Sequence, residues 1–458
     1  MRRWLVKPIR RGRSMEWHKL LSHSRLCRPD AVPEKDRSPF QQDIDRITFS
    51  AAFRRLAYKT QVHPLSPNDH VHTRLTHSIE VASVGRSLGT GVGAEITREI
   101  DKPPTITQDT FGYVVQAACL AHDIGNPPFG HCGEDAIQSW FKKTESTGLA
   151  VKLGEARNED FRLFDGNAQG FRIITQLEDS KWAGGLQLTH AVLGAFTKYP
   201  RASHLCISET DNYIGGKKPG FFKSEQGYFA EVADNLGLKR HDDANPYWCR
   251  HPLAFLVEAA DDICYRIIDI EDGYELGYLS FSEAKDILAS IACHDPNLTI
   301  LPAQEPDQIG KLRAIAVGLL IKECIRVFLD NRTAILSGSF GCPLIELTRF
   351  SDELKNASDA AMQKIFRSEI ITKREITGTT VIAGLLDIFA EVIIDLSSVN
   401  FDISKLRGNS ARLARLMGDS LRRANNTYET LLCLTDLVSG MTDRFAIDTY
   451  RMLKGISM

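Results

Sequence analysis

Apolar residues recur at helical spacing along most of the chain. From Ile79 to the C-terminus, hydrophobic side chains repeat at positions i, i+3, i+4 and i+7, whereas the alternation that is typical of strands is scarce. The repeats predict long helical segments at 76–89, 111–124, 252–270, 311–329, 381–397 and 426–440. This pattern predicts an all-α protein.

Stretches rich in Gly, Pro and Asn separate the helical segments and predict the loops between them, at 63–70, 125–133, 213–222 and 241–252. The region between residues 140 and 250 is the least regular part of the chain. Within it, 205–223 has the Gly-rich centre that a tight turn needs, so we expect a β-hairpin there.

The order of these segments suggests three regions. We assign residues 1–37 to a partly disordered N-terminal extension, 38–280 to the core that carries the candidate chemistry, and 281–458 to a C-terminal helical region that packs on the core and forms oligomer contacts. Residues 1–14 are basic and contain no acid, and whether they precede the natural start at Met15 stays open.

Composition narrows the class of protein. The 458 residues are 43% hydrophobic and 25% charged, as in ordinary globular proteins, and the net charge is −2. A nearly neutral chain is not built as a dedicated nucleic-acid or membrane binder, so phosphate binding would need a local cluster of cations. No stretch is apolar enough to span a bilayer, and the ten cysteines form no CxxC pair. We therefore expect a cytoplasmic protein with reduced thiols.

Two histidines point toward the core from separate predicted helices. His122 follows the apolar face of 111–124, with Asp123 beside it, and His77 lies on the apolar stripe of 76–89. A histidine–aspartate pair alone is more often a satisfied pair at a helix end. A second inward histidine makes a functional site the better interpretation, because buried polar groups need partners.

Two adjacent aspartates in the segment 252–270 compete for the same role. Asp261 shares the face of Val257, whereas Asp262 aligns with Glu258 on the polar face, so periodicity predicts that Asp261 is the buried one. Buried carboxylates are rare unless they are paired or bind a metal.

These inward side chains form a candidate two-nitrogen, two-oxygen metal site, made of His77, His122, Asp123 and Asp261. Mixed imidazole and carboxylate ligands fit Mg, Mn, Fe, Co, Ni or Zn, so the set predicts a divalent metal without naming it. Vacant positions on the ion would polarise a phosphate oxygen.

Further candidates surround this set. If a helix starts near Gly130, His131 and Glu134 share a face and form an acid–base pair, although a purely local pair at a helix start is an equally good interpretation without the metal. Tyr265 and Asp269 follow Asp261 by one and two turns, which suits a sugar ring and its hydroxyl, or simple core packing. Cationic and aromatic side chains that could meet a polyphosphate are Lys198, Tyr199, Lys217 and Lys218.

Longer strings resemble the bacterial dGTP triphosphohydrolases and their dGTPase-like relatives in the HD-domain superfamily. The strings are FRRLAYKTQV (53–62), TRLTHSIEV (73–81), AHDIGNPPFGHCGEDAI (121–137), DGNAQG (165–170), KKPGFF (217–222), EAADDICYRIIDIEDG (258–273) and SGMTDRFAIDTYR (439–451). The resemblance implies an HD-domain helical phosphohydrolase fold over 38–280, with additional C-terminal helices. It also implies a homo-oligomer, usually a hexamer, that hydrolyses a deoxynucleoside triphosphate (dNTP) to the deoxynucleoside and inorganic triphosphate.

The resemblance also implies residue roles. The family's metal ligands fall on His77, His122, Asp123 and Asp261, with Mg or Mn expected first. Its catalytic pair falls on His131, which would protonate the leaving 5′-oxygen, and on Glu134, which would orient it. The substrate contacts fall on Gln61 and Asp269 for the 3′-hydroxyl, Tyr265 against the 2′ carbon, and Arg74, Lys198, Tyr199 and Lys218 around the phosphates.

Two alternatives stay open. Another HD phosphohydrolase, acting on a monophosphate, an alarmone or a cyclic dinucleotide, would have no reason to carry the sugar contacts Gln61, Tyr265 and Asp269. A non-catalytic nucleotide sensor, or a binder of single-stranded DNA, would not need both His131 and Glu134. The base preference and an activating dNTP at a subunit interface are also open.

Overall fold

A computed structural model of the protein describes residues 14–32, 34, 36–61, 72–100, 106–144, 155–205, 213–242, 244–298 and 302–456. Across these ranges the chain is helical, which confirms the predicted fold class, and the only sheet is a two-stranded antiparallel hairpin of β1 (Arg240–Asp242) and β2 (Tyr247–Trp248). The helices are α1 Trp17–Leu20, α2 Pro39–Thr48, α3 Ala51–Arg55, α4 Arg74–Glu99, α5 Gln108–Ala121, α6 His131–Thr144, α7 Glu155–Arg162, α8 Gly166–Arg172, α9 His190–Phe196, α10 Gln226–Leu236, α11 Ala254–Glu275, α12 Phe281–Ala292, α13 Glu305–Asp330, α14 Arg332–Ser337, α15 Ser351–Ala361, α16 Glu369–Ser398, α17 Gly408–Leu416, α18 Thr427–Ser439 and α19 Asp443–Leu453.

The six predicted helical segments overlap α4, α5, α11, α13, α16 and α18, although the segments 111–124, 252–270 and 426–440 extend one to three residues beyond the observed helices. Side-chain caps fix where several of these helices begin; the Thr73 hydroxyl, for example, accepts the Thr76 amide at the start of α4. None of the helices in the described ranges is long and apolar enough to cross a membrane. The predicted loop at 63–70 lies outside the described residues.

The hairpin predicted at 205–223 is wrong in its position. Residues 206–212 lie outside the described ranges, and the chain then forms a 3₁₀ turn at Ile214–Gly216 instead of a strand. The side chain of Arg201 donates to the Gly216 carbonyl at 2.8 Å, so this Gly-rich turn is bound by a side chain rather than by a strand partner. The observed hairpin lies further along, in a stretch predicted as a loop.

Two hydrophobic cores organise the helices. The larger core contains α1–α5 and α8–α15, whereas the smaller one joins α6 and α7 to α16–α19. Both therefore draw on the predicted C-terminal region, and the division into three regions stays a prediction. Met15, Trp17 and Leu20 are buried in the larger core, although they belong to the segment assigned to an extension, and residues 1–13 lie outside the described ranges.

Helices α4 and α5 approach each other along glycines. A Cβ atom at Gly89 would lie 2.6 Å from the Phe111 carbonyl oxygen, and one at Gly85 would lie 2.5 Å from the Cys119 sulfur. Neither contact is sterically acceptable, so the interhelical distance depends on these glycines. The close approach brings the first turns of α4 beside the end of α5, where the two candidate histidines lie.

A buried carboxylate joins α7 to the C-terminal helices. Asp160 accepts hydrogen bonds from the Ser203 hydroxyl, the Tyr428 hydroxyl at 2.5 Å and the Lys223 amide at 3.0 Å. Burial outweighs these hydrogen bonds and raises the pKa of Asp160 to about 6.

The raised pKa of Asp160 predicts a pH-dependent stability. The folded protein holds this proton more tightly than the unfolded chain, whose pKa is near 3.8, so the stabilisation is full below pH 4 and is lost as the pH rises through 6. Relative to Asp160→Asn, the free energy of unfolding of the wild type in urea should fall by about 3 kcal/mol between pH 4 and pH 7. A difference that stays constant over this range would contradict the assignment.

Candidate metal centre

Three helices bring three ligand atoms together. His77 lies in the first turn of α4, His122 directly follows α5, and Asp261 lies in α11. The Nε2 atoms of His77 and His122 are 3.2 Å and 3.7 Å from Asp261 Oδ1, and the three atoms all lie within 4.8 Å of one another. Ligand atoms bound about 2.0–2.2 Å from one ion lie roughly 3–3.5 Å apart, so this spacing suits a single metal.

The hydrogen bonding of His122 supports this interpretation. Its Nδ1 is 2.7 Å from the Cys119 carbonyl oxygen, so Nδ1 carries the proton and Nε2 keeps its lone pair. That Nε2 is buried, and it has no hydrogen-bond partner among the described residues. A buried acceptor without a partner is costly, and a second nitrogen fixed by a backbone carbonyl is the usual arrangement of a metal-binding histidine. The donor set therefore fits a divalent metal ion.

Asp123 lies at the edge of this cluster. Its Oδ1 is 3.5 Å from His122 Nε2 and accepts from Asn126 Nδ2 at 2.5 Å, while its Oδ2 accepts from Arg74 Nη1 at 2.6 Å. Burial opposes ionisation, but Arg74, followed by His122 and His77, lowers the pKa of Asp123 to about 2. The carboxylate is thus ionised and already oriented, and its role as the fourth ligand stays a prediction.

The prediction that Asp261 is the more buried of the two neighbouring aspartates is wrong. The two side chains are similarly exposed, at 32% and 25%, so burial does not separate them. Their directions do, because Asp261 meets the two histidines whereas Asp262 lies 4.0 Å from Arg266. Burial favours the neutral form of Asp261, yet the hydrogen bond from His77 and the charges around it hold its pKa well below the usual range.

Lys198 is held beside the cluster by a buried ion pair. Its Nζ is 3.4 Å from Glu258, a residue predicted on the polar face that is in fact buried. The same carboxylate accepts two hydrogen bonds from Arg250, at 2.7 and 3.3 Å, and the Tyr199 ring lies 5.7 Å from Lys198 and 5.4 Å from Arg250. Glu258 overcomes the effect of burial and raises the pKa of Lys198. Sequence reasoning missed Arg250, whose position in a predicted loop gave no periodic signal.

His131 and Glu134 form the predicted pair at the start of α6. His131 Nδ1 is 2.8 Å from Glu134 Oε2, and the Gly166 amide donates to Glu134 Oε1 at 2.7 Å. Glu134 is buried, whereas the side chain of His131 is 83% exposed. The hydrogen bond to Glu134 raises the pKa of His131. The imidazole therefore offers its free Nε2–H to the solvent side.

A cleft of about 450 Å³ opens beside this pair. Its walls include Arg201, Lys217 and Lys218. Lys218 is 2.9 Å from Asp165, and this neighbour outweighs burial and raises the pKa of Lys218.

The predicted sugar contacts differ in exposure: Tyr265 is partly exposed, whereas Asp269 is buried. The Tyr265 ring is partly exposed and stacks on Phe366, with ring centroids 6.0 Å apart, and sequence reasoning missed Phe366 because its partner lies in another helix. Asp269 is buried, and burial together with Asp272 raises its pKa to about 8. One oxygen of Asp269 and the side-chain oxygen of Gln61 are buried and have no hydrogen-bond partner in the described part of the chain.

The chain is similar to known proteins over nearly its whole length. Residues 74–183 match the HD domain family model, a stretch that holds His77, His122 and His131 but ends before Asp261. A protein from Synechocystis sp. named deoxyguanosinetriphosphate triphosphohydrolase-like is 42% identical over 451 residues, which cover 97% of this chain and 100% of that protein. A protein of the same name from Pseudomonas aeruginosa is 41% identical, with 97% and 99% covered. A deoxyguanosinetriphosphate triphosphohydrolase from Yersinia pestis is 31% identical, with 90% and 93% covered.

The two neighbouring aspartates provide a matched test of the metal site. Asp261→Ala removes the oxygen that both histidines face, so we expect it to abolish Mn²⁺ binding measured by titration calorimetry. Asp262→Ala removes the same chemical group one residue away and should leave the Mn²⁺ affinity nearly unchanged. Equal losses in the two variants would refute the choice of Asp261.

Proposed function

Because the chain belongs to the deoxyguanosinetriphosphate triphosphohydrolase-like family of HD-domain proteins, we propose that it hydrolyses dNTPs to the deoxynucleoside and inorganic triphosphate. The feature that supports this function most directly is the unpartnered Nε2 of His122, which faces His77 and Asp261. The pair His131–Glu134 and the cationic side chains near this cluster supply the other groups that phosphoryl transfer requires.

His77, His122 and Asp261 would hold the metal, with Asp123 as the fourth ligand. We expect Mg²⁺ or Mn²⁺ first, because substrate phosphates add the oxygen ligands that these ions favour, and Fe, Co, Ni or Zn also accept mixed nitrogen and oxygen ligands. When bound, such an ion polarises the scissile phosphate and lowers the pKa of a water molecule.

Cationic side chains would position the phosphates. Arg74 is buried at the start of α4, and its Nε has no hydrogen-bond partner among the described residues. Lys198, with Tyr199 beside it, and Lys218 add charge that neighbouring carboxylates keep in place. Neutralising and aligning a triphosphate in this way favours cleavage without a covalent intermediate.

His131 would act as the general acid. A water molecule would form a new bond to the α-phosphorus and lose a proton to solvent as the bond to the 5′-oxygen breaks. The proton on His131 Nε2 would pass to that oxygen, which leaves as the deoxynucleoside hydroxyl. Glu134 holds Nδ1 of the ring and raises the pKa of His131, which favours the protonated imidazole that a general acid needs.

The sugar contacts would select the deoxyribose. Gln61 and Asp269 offer the 3′-hydroxyl their unpartnered buried oxygens, and a neutral Asp269 can donate as well as accept. Tyr265, supported by Phe366, would lie against the 2′ carbon and leave no room for a ribose hydroxyl.

The cellular form of the enzyme follows from the family. We expect a cytoplasmic homo-oligomer, first a hexamer, with a subunit interface as the candidate site for an activating dNTP, whose requirement is open. Single-stranded DNA is a weaker candidate partner for a chain with a net charge of −2.

Product analysis tests the proposed reaction. The protein is incubated with each dNTP and each NTP, singly and in pairs, with Mg²⁺ or Mn²⁺, and the products are separated by chromatography. We expect deoxynucleoside and triphosphate in equal amounts from at least one dNTP mixture. Pyrophosphate with monophosphate, or no turnover in any mixture, would overturn the proposal.

His131→Ala separates catalysis from metal binding. We expect turnover to fall by about 10²–10⁴ because the leaving oxygen loses its proton donor, while the Mn²⁺ affinity stays unchanged. His18→Ala, which removes an exposed histidine that pairs with Glu16, should keep full turnover. Loss of Mn²⁺ from His131→Ala would instead identify His131 as a ligand.

A further inference from the structure

The C-terminal string SGMTDR (439–444) lies far from the metal ligands in sequence, yet it contacts their surroundings. Asp443 begins α19 and is buried. Its Oδ1 accepts the Phe129 amide at 3.0 Å, and its Oδ2 accepts both the amide of Thr60, at 3.1 Å, and the Thr60 hydroxyl. One carboxylate thus binds two separate segments of the site.

Lys59 makes the complementary connection. Its Nζ donates to the Asn126 carbonyl at 2.6 Å and to the Ser439 carbonyl at 2.8 Å, and the side chain is buried. Its own carbonyl accepts the Arg74 amide at 3.0 Å, which joins the strip 59–61 to the start of α4. Lys59 therefore contacts three parts of the site: the end of the His122–Asp123 turn, the C-terminal string and the first residue of α4.

The turn 126–130, which lies between these contacts, has a strained backbone. Phe129 has a φ of 63° and Gly130 a φ of 58°, so two consecutive residues are left-handed, and one of them is not glycine. A left-handed non-glycine residue is strained and persists only where its surroundings fix it. His131 follows directly, so any relaxation of this turn moves the catalytic imidazole.

We propose that Asp443 and Lys59 are positioning residues, through which the C-terminal string holds the turn 126–130 and the strip 59–61 and so fixes His131 relative to Gln61. This inference rests on the proposed function for the roles of His131 and Gln61. It means that the C-terminal helices would affect catalysis without contacting the substrate.

Asp160 is a matched control for Asp443. It too is a buried carboxylate that accepts from a hydroxyl and a backbone amide and ties the C-terminal helices to the rest of the chain. Its partners Ser203, Lys223 and Tyr428 belong to neither the turn nor the strip. Replacing Asp160 removes a buried anchor without releasing either segment.

Steady-state kinetics on the metal-loaded protein separates positioning from general stability. Asp443→Ala should lower kcat by about 10- to 100-fold, as expected for a displaced catalytic group, and should keep the Mn²⁺ affinity within twofold of wild type. Asp160→Asn should lower the melting temperature but keep kcat, when both are assayed well below their melting temperatures. Thr60→Val, which removes only the hydroxyl contact, should raise KM more than it lowers kcat, and it serves if Asp443→Ala does not fold.

A second measurement does not depend on turnover. Deuterium exchange at the imidazole C2 position of His131, followed by mass spectrometry over a pH series, reports its pKa. The charged groups that act on His131 are Glu134, Lys218 and Arg74, and a loosened turn weakens the contact with Glu134. We therefore expect a lower pKa for His131 in Asp443→Ala than in wild type, and no change in Asp160→Asn.

The outcomes distinguish failure of the proposed function from failure of the positioning role of Asp443. If the wild type hydrolyses no dNTP while Asp443→Ala alone lowers the pKa of His131, the proposed function fails and the positioning role stands. If Asp443→Ala keeps both kcat and the pKa of His131 and loses only thermal stability, as Asp160→Asn does, the positioning role is refuted.

Discussion

The close contact between α4 and α5 is the constraint on which the site depends. Gly85 and Gly89 let the two helix backbones approach, and a β-carbon at either position would meet the facing helix at 2.5–2.6 Å. Since helices transmit a displacement along their length, this contact sets the spacing of His77 and His122, whose rings are 5.3 Å apart. Helix α11 then packs against both helices and brings Asp261 to the histidines.

Cationic side chains neutralise the carboxylates of the candidate metal site. Asp123 and Asp261 are carboxylates in a largely buried environment, and each would be costly without a nearby cation. Arg74 lies 2.6 Å from Asp123. The charge of Lys198 acts on Asp261, and Lys198 is itself held by Glu258. Arg250 in turn neutralises Glu258, so the network ends in a fully buried ion pair rather than in solvent. The same cations that stabilise the protein would thus be oriented for a phosphate.

Sequence patterns predicted the parts of the site that depend on local geometry. His77 and His122 could be chosen because a helical face is a local property, and the start of α6 at His131 follows from the Pro- and Gly-rich break before it. Asp261 was the residue that reaches the histidines, but periodicity chose it for burial, and direction rather than burial separates it from Asp262. The hydrophobic pattern cannot distinguish two neighbouring residues when both lie at the edge of the buried face of a helix.

Contacts between distant parts of the chain explain what local patterns could not provide. Asp443 lies 314 residues from Phe129, and its carboxylate accepts the amide of this left-handed residue, a conformation that sequence spacing does not reveal. The HD domain match ends at residue 183, yet Asp261 and Asp443 come from beyond it. Asp443 of α19 and Lys59 hold the two ends of the turn that precedes His131, so the conformation of this turn depends on a C-terminal helix. Under the proposed function, catalysis would then depend on the C-terminal helices, and a mutation there would displace the His131 imidazole without touching the predicted metal ligands.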